Sequence, residues 1–173
     1  WGNNEKQYYT ASSSNILTDG KGNLVITAKR IPETSSILNF CDDCQFTSAK
    51  VKTADKLGFM YGRLEARMKT PAGSGMWPAF WMLGVPRPSC DGWPSCGEID
   101  IVESRGNPAS CSVGGRNKFG STLHWGPGWP MDAWSKAHAE YTHDAGDLSD
   151  DFHVYGIDWT KDYIKTTIDG KEG

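Results

Sequence analysis

Hydrophobic and polar residues alternate in short runs along this chain, and turn-forming residues separate the runs. In residues 61–69, Leu64, Ala66 and Met68 share one face while charged side chains occupy the other. Alternation with a period of two is typical of a β-strand with one buried face. The same criterion predicts further strands at residues 23–29, 47–52, 77–83, 98–103, 121–125, 152–159 and 163–168.

Turn signals separate these strands, and helix signals are scarce. Residues 19–22 predict a turn before the strand at 23–29, residues 160–162 predict the turn of a hairpin, and Asp169-Gly170 predicts another turn. The best helical candidate is residues 132–139, which is short. Many short strands with frequent turns predict an all-β sandwich or barrel.

Length and charge narrow the possible functions. The 173 residues suffice for one domain with a core, and no repeat or low-complexity segment divides them, so we expect a single domain over residues 1–173. A net charge of -3 gives no basis for binding nucleic acid or an anionic membrane. No apolar run approaches the roughly 18 residues that a membrane-spanning helix needs. Eight tryptophans supply apolar area for a core or ring faces that stack on sugars.

The cysteines point to an oxidising compartment. They are Cys41, Cys44, Cys90, Cys96 and Cys111. The C-x-x-C spacing at the first pair is also used by zinc and redox sites, but a zinc site needs a second suitable pair and a redox site needs a βαβ setting. Structural disulfides are therefore favoured, and a secreted, extracellular protein is expected. The odd count leaves at least one thiol outside any internal pair, and the connectivity does not follow from the sequence.

Three acidic side chains are concentrated in the strand predicted at residues 98–103. Strand alternation places Glu98 and Asp100 on one face and would place Glu103 on the other, among apolar residues. An unpaired carboxylate buried there would cost several kcal/mol, on the order of 2–7. We therefore predict a β-bulge near Ile101 and Val102 that returns Glu103 to the face of the other two acids.

Three carboxylates on one face suit the cleavage of a glycosidic bond. Mutual repulsion raises the pKa of at least one of them, so that one acid attacks while another holds a proton. Their closeness on one strand predicts the separation of roughly 5–5.5 Å that retaining enzymes use. The alternatives are a solvated acidic edge or a calcium site. Calcium ligands usually come from flexible loops, and a β-branched strand makes a poor cage.

Several blocks of this sequence resemble glycoside hydrolase family 16. Residues 98–103 read EIDIVE and match that family's signature, E-[ILV]-D-[IVAF]-x-E, in the bulged form that resembles the laminarinase-type branch. Residues 1–10 resemble the family's opening W-G-N-N-E-L-Q-Y-Y-T, and residues 75–84 resemble its G-x-W-P-A-F-W-M-L block. Residues 122–126 and 152–159 resemble its later strands.

The resemblance implies a role for each acid and its neighbours. Glu98 would be the nucleophile, Glu103 the acid/base, and Asp100 would orient Glu98 and tune its charge. Trp77 and Trp81 would line the sugar subsites on the donor side. The further implied contacts are His124 beside the acids, Trp125 next to it, and Asn4 and Arg63 at the cleft edge.

Other positions carry weaker expectations. Trp129 and Trp134 lie in a Gly/Pro-rich loop that we expect to cover acceptor sites, and residues 86–96 are expected to shape the end of the groove. The remaining histidines receive no role; they are His138, His143 and His153.

The implied fold is an all-β, concanavalin-like jelly-roll sandwich with a concave substrate groove. The implied activity is endo-hydrolysis of β-1,3-glucan with retention, on a polysaccharide substrate and without a cofactor. A structural calcium ion is known in the family, but no residue here indicates it, so no metal ligand is predicted. Family members have a strand before the opening Trp and several after the last Asp-Gly. We therefore expect a fold incomplete at both ends, because the sequence covers only part of the domain, because the chain was processed, or because a partner segment completes the fold.

Two other functions fit the same fold. One is a β-glucan recognition protein without turnover, a class that typically loses one or more of the acids. All three are present here, which favours the enzyme. The other is a hydrolase of the same family acting on agarose, carrageenan or mixed-linkage glucan.

Overall fold

The structure, a computed structural model, describes residues 3–86, 88–90, 92–107, 115–127 and 135–172. These residues form thirteen strands and one turn of 3-10 helix, Ser36–Asn39. No helix among them is long and apolar enough to cross a membrane. The chain divides into two compact units, Trp1–Leu57 and Gly58–Gly173.

The N-terminal unit is built from five short strands. They are β1 (Gln7–Tyr9), β2 (Ile16–Thr18), β3 (Leu24–Ile26), β4 (Lys29–Arg30) and β5 (Phe46–Ser48). β5 pairs in parallel with β1 and antiparallel with β4, while β2 and β3 form a hairpin. The buried side chain of Asn15 ties the hairpin to β5, because its Nδ2 donates to the Thr27 carbonyl at 2.8 Å and to Thr47 Oγ1 at 2.9 Å.

The C-terminal unit is built from two four-stranded sheets. Its strands are β6 (Gly62–Met68), β7 (Ala79–Leu83), β8 (Glu98–Ser104), β9 (Lys118–Trp125), β10 (Ser135–Thr142), β11 (His153–Trp159), β12 (Ile164–Ile168) and β13 (Lys171–Glu172). The first sheet has the order β10-β9-β8-β7 and the second has the order β13-β12-β11-β6. Every neighbouring pair is antiparallel.

The two sheets share one hydrophobic core. Ile101, Val102 and Phe119 enter it from the first sheet, and Tyr155 and Ile157 enter it from the second. Phe119 and Tyr155 meet edge to face, with ring centroids 5.4 Å apart. The C-terminal unit is therefore a sandwich whose sheets bury one face each against the other.

Most predicted strands are present, with bounds that differ by a few residues. Those predicted at residues 61–69, 98–103 and 163–168 correspond to β6, β8 and β12, and the hairpin of β11 and β12 is confirmed. The strand predicted at residues 23–29 is divided between β3 and β4. Residues 121–125 are only the second half of β9. The sequence patterns missed β1 and β2, which have three residues each.

The helix predicted at residues 132–139 is wrong over residues 135–139, and residues 132–134 lie outside the described residues. Ser135–Thr142 is strand β10, paired with β9 along its whole length. Its alanines, lysine and glutamate favour helix locally, but eight residues of ladder pairing outweigh that preference.

Two disulfides are present, Cys41–Cys44 and Cys90–Cys96, which confirms the structural disulfides expected from the cysteine pattern. Cys111 lies outside the described residues. The single-domain expectation and the completing partner segment stay predictions.

We expect Ile101→Ala to lower the free energy of unfolding by about 2–5 kcal/mol, because it removes a fully buried side chain from the shared core. Urea denaturation followed by tryptophan fluorescence measures the change. The control is Leu24→Ala, which truncates a side chain that is 55 % exposed and should change stability by less than about 1 kcal/mol. Equal losses in the two variants would contradict the assignment of Ile101 to the core.

Candidate active site

The predicted bulge is present in β8. On β7, Trp81 pairs with Asp100 and Phe80 pairs with Val102. Ile101 therefore has no partner on β7. The pairing of β8 with β9 shifts at the same place. Ile101 and Val102 are each only 1 % exposed, so two consecutive side chains enter the core. Alternation resumes after them, and Glu103 returns to the outer face of the first sheet.

Cross-strand pairing arranges the outer face of this sheet in three rows. One row holds Leu83, Glu98, His124 and Lys136, the second holds Trp81, Asp100, Thr122 and His138, and the third holds Ala79, Glu103, Gly120 and Glu140. Each acid therefore stands in the middle of its own row, flanked by β7 on one side and by β9 and β10 on the other.

Asp100 is the most buried of the three acids, at 3 % exposed. Burial, then the charges of Glu98 and Glu103, then a hydrogen bond with Glu98 raise the pKa of Asp100 to about 8. The raised pKa favours the protonated form of Asp100, in which the carboxyl group donates that hydrogen bond to Glu98. His124 Nε2 lies 3.0 Å from Asp100 Oδ2 and holds the other side of the carboxyl group.

Glu103 is held from the segment before β7. Trp77 Nε1 donates a hydrogen bond of 2.8 Å to Glu103 Oε1. The guanidinium carbon of Arg105 lies 3.9 Å from the centroid of a Trp77 ring, a cation–π contact that covers one face of the indole. Only the other face of Trp77 remains available for a ligand.

A disulfide-closed loop adds one more aromatic ring. Cys90 and Cys96 are bonded, and Trp93 lies between them with its ring centroid 5.8 Å from that of His124. The sequence pattern singled out residues 86–96 as a groove-shaping segment but did not identify Trp93. The sequence feature that could have identified Trp93 is its position between two cysteines just before Glu98.

His138, for which no role was predicted, lies on the same face as the acids. Its Nδ1 lies 2.9 Å from Thr122 Oγ1. A Cβ on Gly120 would lie 2.5 Å from the imidazole Cε1, so the ring rests across the bare backbone of Gly120. Gly120 is the cross-strand partner of Glu103, and the glycine therefore lets the imidazole lean toward the row of Glu103.

The structure brings together six of the residues predicted for the site and places Trp125 and Arg63 on other faces of the same unit. The six on one face are Glu98, Asp100, Glu103, Trp77, Trp81 and His124. Trp125 follows His124 on β9, and strand alternation points it to the opposite side. Arg63 lies on the outer face of the second sheet, where it pairs with Glu65 at 2.6 Å and Asp158 at 2.8 Å.

Asn4 lies in the N-terminal unit, exposed and with a φ of 55°. Trp129 and Trp134 lie outside the described residues.

Three side chains on the face of the acids have the ligand types of a cation site. Glu98, Asp100 and His124 each offer one ligand atom, and these atoms lie within 4.8 Å of one another. A proton on Asp100 competes with any ion at this position. The arrangement can also separate two acids by function, because Glu98 accepts a hydrogen bond from Asp100 while Glu103 accepts one from Trp77 Nε1.

Comparisons of the sequence and of the structure with known proteins point to one family of glycoside hydrolases. The model of the glycosyl hydrolases family 16 matches residues 3–173. A β-1,3-glucan-binding protein of Penaeus monodon is 46 % identical over 150 residues, which cover 86 % of this chain and 38 % of that protein. A glucan endo-1,3-β-glucosidase A1 of Niallia circulans is 38 % identical over 176 residues, which cover 99 % of this chain and 24 % of that protein.

A solved structure agrees. The laminarinase catalytic domain of Thermotoga maritima MSB8 superposes with a TM-score of 0.78 at 34 % identity, over 100 % of this chain and 62 % of that one. This likeness confirms the all-β jelly-roll fold expected from the sequence. The chain spans well under half the length of the two relatives above.

We expect Asp100→Asn to change how stability depends on pH. An unfolded aspartate has a pKa of about 3.9, whereas burial and the neighbouring acids raise that of folded Asp100 to about 8. The folded state therefore binds more protons between these values, and its advantage is lost as the pH rises from about 4 to about 8. Urea denaturation at pH 4.5, 6 and 8 should show the variant gaining stability relative to the wild type with rising pH. A constant difference between the two would contradict the raised pKa.

We expect Gly120→Ala to displace the imidazole of His138, because the new methyl group would lie 2.5 Å from Cε1. The ring tip can rotate away, so the loss of stability should stay below about 1 kcal/mol. Nitrogen NMR of the imidazole measures the lost contact with Thr122. The matched control, Thr122→Val, removes the same hydrogen bond without a clash and should move the same signals. Unchanged His138 signals in Gly120→Ala would contradict this geometry.

Proposed function

Because the chain belongs to family 16 of the glycosyl hydrolases, we propose that it is a retaining endo-β-1,3-glucanase acting on laminarin-type glucans. The observation that carries the proposal is the bulge in β8, which places Glu98, Asp100 and Glu103 on one solvent-facing side of the sheet. Cleavage with retention needs two carboxyl groups on either side of one anomeric carbon.

Glu98 is the proposed nucleophile. The protonated form of Asp100 donates a hydrogen bond to it, which orients one carboxylate oxygen. In the first step the free oxygen attacks the anomeric carbon, and the bond from that carbon to the leaving sugar breaks.

Glu103 is the proposed acid/base. It gives its proton to the leaving oxygen in the first step. In the second step it takes a proton from the water that attacks the anomeric carbon, and Glu98 is released as a carboxylate. The hydrogen bond from Trp77 fixes the position of Glu103 in both steps.

Asp100 and His124 are proposed positioning residues, since Asp100 acts through Glu98 and His124 acts through Asp100. Trp81, in the row of Asp100, and the free face of Trp77 are the proposed sugar contacts on the donor side. Trp125, Asn4 and Arg63 remain proposed contacts on the resemblance alone. A substrate groove that extends beyond the first sheet is likewise proposed on the resemblance alone.

The proposed substrate is an extracellular polysaccharide, and the proposed location is outside the cell. Both disulfides support folding in an oxidising compartment. Hydrolases of this family generally work without a cofactor, and the two carboxyl groups supply all the proton transfers of the reaction.

A second candidate is glucan recognition without turnover. It is favoured by the 46 % identity to a protein named as a β-1,3-glucan-binding protein. Against it stand the three acids and their separate hydrogen-bond partners, which a binding surface does not need. A preference for mixed-linkage glucan is a further outcome that a substrate panel would reveal.

We expect Glu98→Ser and Glu103→Gln each to lower the release of reducing sugar from laminarin by about 10²–10⁴-fold or more. The matched control is Glu172→Gln, which changes an exposed glutamate of the second sheet that pairs with Lys165 and should keep wild-type activity. Affinity electrophoresis in laminarin measures binding in parallel.

The outcomes separate the candidates. A wild type that binds laminarin without cleaving it would establish recognition instead of hydrolysis. Activity on mixed-linkage glucan alone would replace the substrate but keep the mechanism. Full activity in both acid variants would refute the assignment of the two glutamates.

A further inference from the structure

His138 lies on the same face as the three acids, and the proposed mechanism gives it no part. Its side chain is exposed and stands on β10, at one end of the first sheet. The row of paired residues that contains Asp100 starts at Trp81 on β7 and ends at His138. Because neighbouring strands lie about 4.8 Å apart, this row runs over about 14 Å, with Asp100 between its ends.

Two contacts hold the imidazole of His138 over β9. Its Nδ1 lies 2.9 Å from Thr122 Oγ1. The ring also rests on the bare backbone of Gly120, where a Cβ would lie 2.5 Å from Cε1 and 3.3 Å from Nε2. Gly120 is the partner of Glu103, so the ring leans along the sheet from the row of Asp100 toward the row of Glu103.

The second ring nitrogen, Nε2, is available for a ligand. Among the described residues no hydrogen bond reaches it. The carboxylate two residues along β10, that of Glu140, pairs instead with Lys118 Nζ at 2.9 Å. The hydroxyl of Thr122 can donate to Nδ1 or accept from it, so Nε2 is either an N–H donor or a lone-pair acceptor. A sugar hydroxyl both donates and accepts, and it therefore fits either tautomer.

The sugar that leaves in the first step must come close to this ring. Glu103, the proposed acid/base, protonates the oxygen of that sugar, so the sugar lies beside its carboxyl group. Toward β7, Glu103 is bonded to the indole of Trp77, a proposed donor-side contact. Toward β9, its neighbour Gly120 has no side chain, and a sugar placed there meets the imidazole of His138.

We propose that His138 binds the leaving sugar and thereby determines how well sugars serve as acceptors. This inference rests on the proposed double displacement. Nε2 exchanges a hydrogen bond with a hydroxyl group of the sugar, and the apolar body of the ring supports it.

The same contact serves the reverse direction. A sugar bound at His138 can replace water in the second step, because the two steps are mirror images of each other. Its hydroxyl oxygen then bonds to the anomeric carbon, the bond to Glu98 breaks, and Glu103 takes the proton of the hydroxyl group. His138 therefore favours transfer to a sugar over hydrolysis.

The test compares two β-1,3-linked substrates that differ in the leaving group. Laminarihexaose releases a sugar, whereas 4-nitrophenyl β-laminaribioside releases nitrophenol. We expect His138→Ala to lower kcat/KM for laminarihexaose by about 3–30-fold, the usual effect of a lost hydrogen bond to a substrate. For the nitrophenyl glycoside kcat/KM should change by less than about 2-fold, because no sugar leaves.

A second measurement follows the fate of the glycosyl-enzyme. With the nitrophenyl glycoside as donor and laminaribiose as added acceptor, the ratio of transfer to hydrolysis should fall by about 3–30-fold in His138→Ala. A merely structural role would not change this ratio, because both products arise from one intermediate. His138→Gln keeps a hydrogen-bonding group and should restore part of the ratio, and Tm values verify that both variants are folded.

The control variant is His143→Gln, which changes a histidine beyond the end of β10 that is bonded to the carbonyl of Gly146. It should keep both kcat/KM values and the transfer ratio. Equal losses on the two substrates in His138→Ala, or an unchanged transfer ratio, would overturn the role of His138 and leave the proposed hydrolysis intact. A wild type that cleaves neither substrate would refute the hydrolysis itself, and this inference with it.

Discussion

The structure of the site depends on the burial of two neighbouring side chains, Ile101 and Val102, in one core. Each contributes about 1.5–3 kcal/mol by leaving water. A strand without the bulge would bury Glu103 and expose one of the two. That arrangement would lose apolar burial and also place a carboxylate among hydrophobic groups, at a cost of several kcal/mol, on the order of 2–7. Both terms favour the bulge, so the position of Glu103 is a consequence of how the core packs.

The same bulge creates an electrostatic conflict that the site resolves by protonation. With Glu103 on the outer face, Asp100 stands between two further acids and is itself buried. Three charges there would repel one another, and the proton on Asp100 removes one of them. The neutral group then serves as a hydrogen-bond donor to Glu98. A packing constraint in the core thus raises the pKa of a side chain on the opposite face.

The sequence was sufficient for this part because the relevant constraint is local. Alternation along one strand and the cost of a buried carboxylate together predict the bulge without knowledge of any partner strand. The missed features depend on pairing between strands. His138 reaches the site because β10 pairs with β9 and because Gly120 has no side chain, and neither fact is visible in the residues around His138. The helix predicted at residues 132–139 was wrong over β10 because the pairing of β10 with β9 is likewise not visible in the local sequence.

Two of the predicted sugar contacts lie on other faces than the three acids, for different physical reasons. Trp125 was expected next to His124 because of the family resemblance, and adjacent residues of a strand point to opposite faces. Arg63 was placed by resemblance, and its guanidinium instead pairs with Glu65 and Asp158 on the other sheet.

A surface that only binds glucan requires exposed rings and polar edges, and it gains nothing from acids in unequal surroundings. Here one glutamate accepts a hydrogen bond from a protonated aspartate, and the other accepts one from an indole that is itself capped by Arg105. Two like acids with different partners are what a reaction with one attacking and one proton-carrying carboxyl group requires. This inequality, more than the presence of the acids, is the physical reason to favour hydrolysis over recognition.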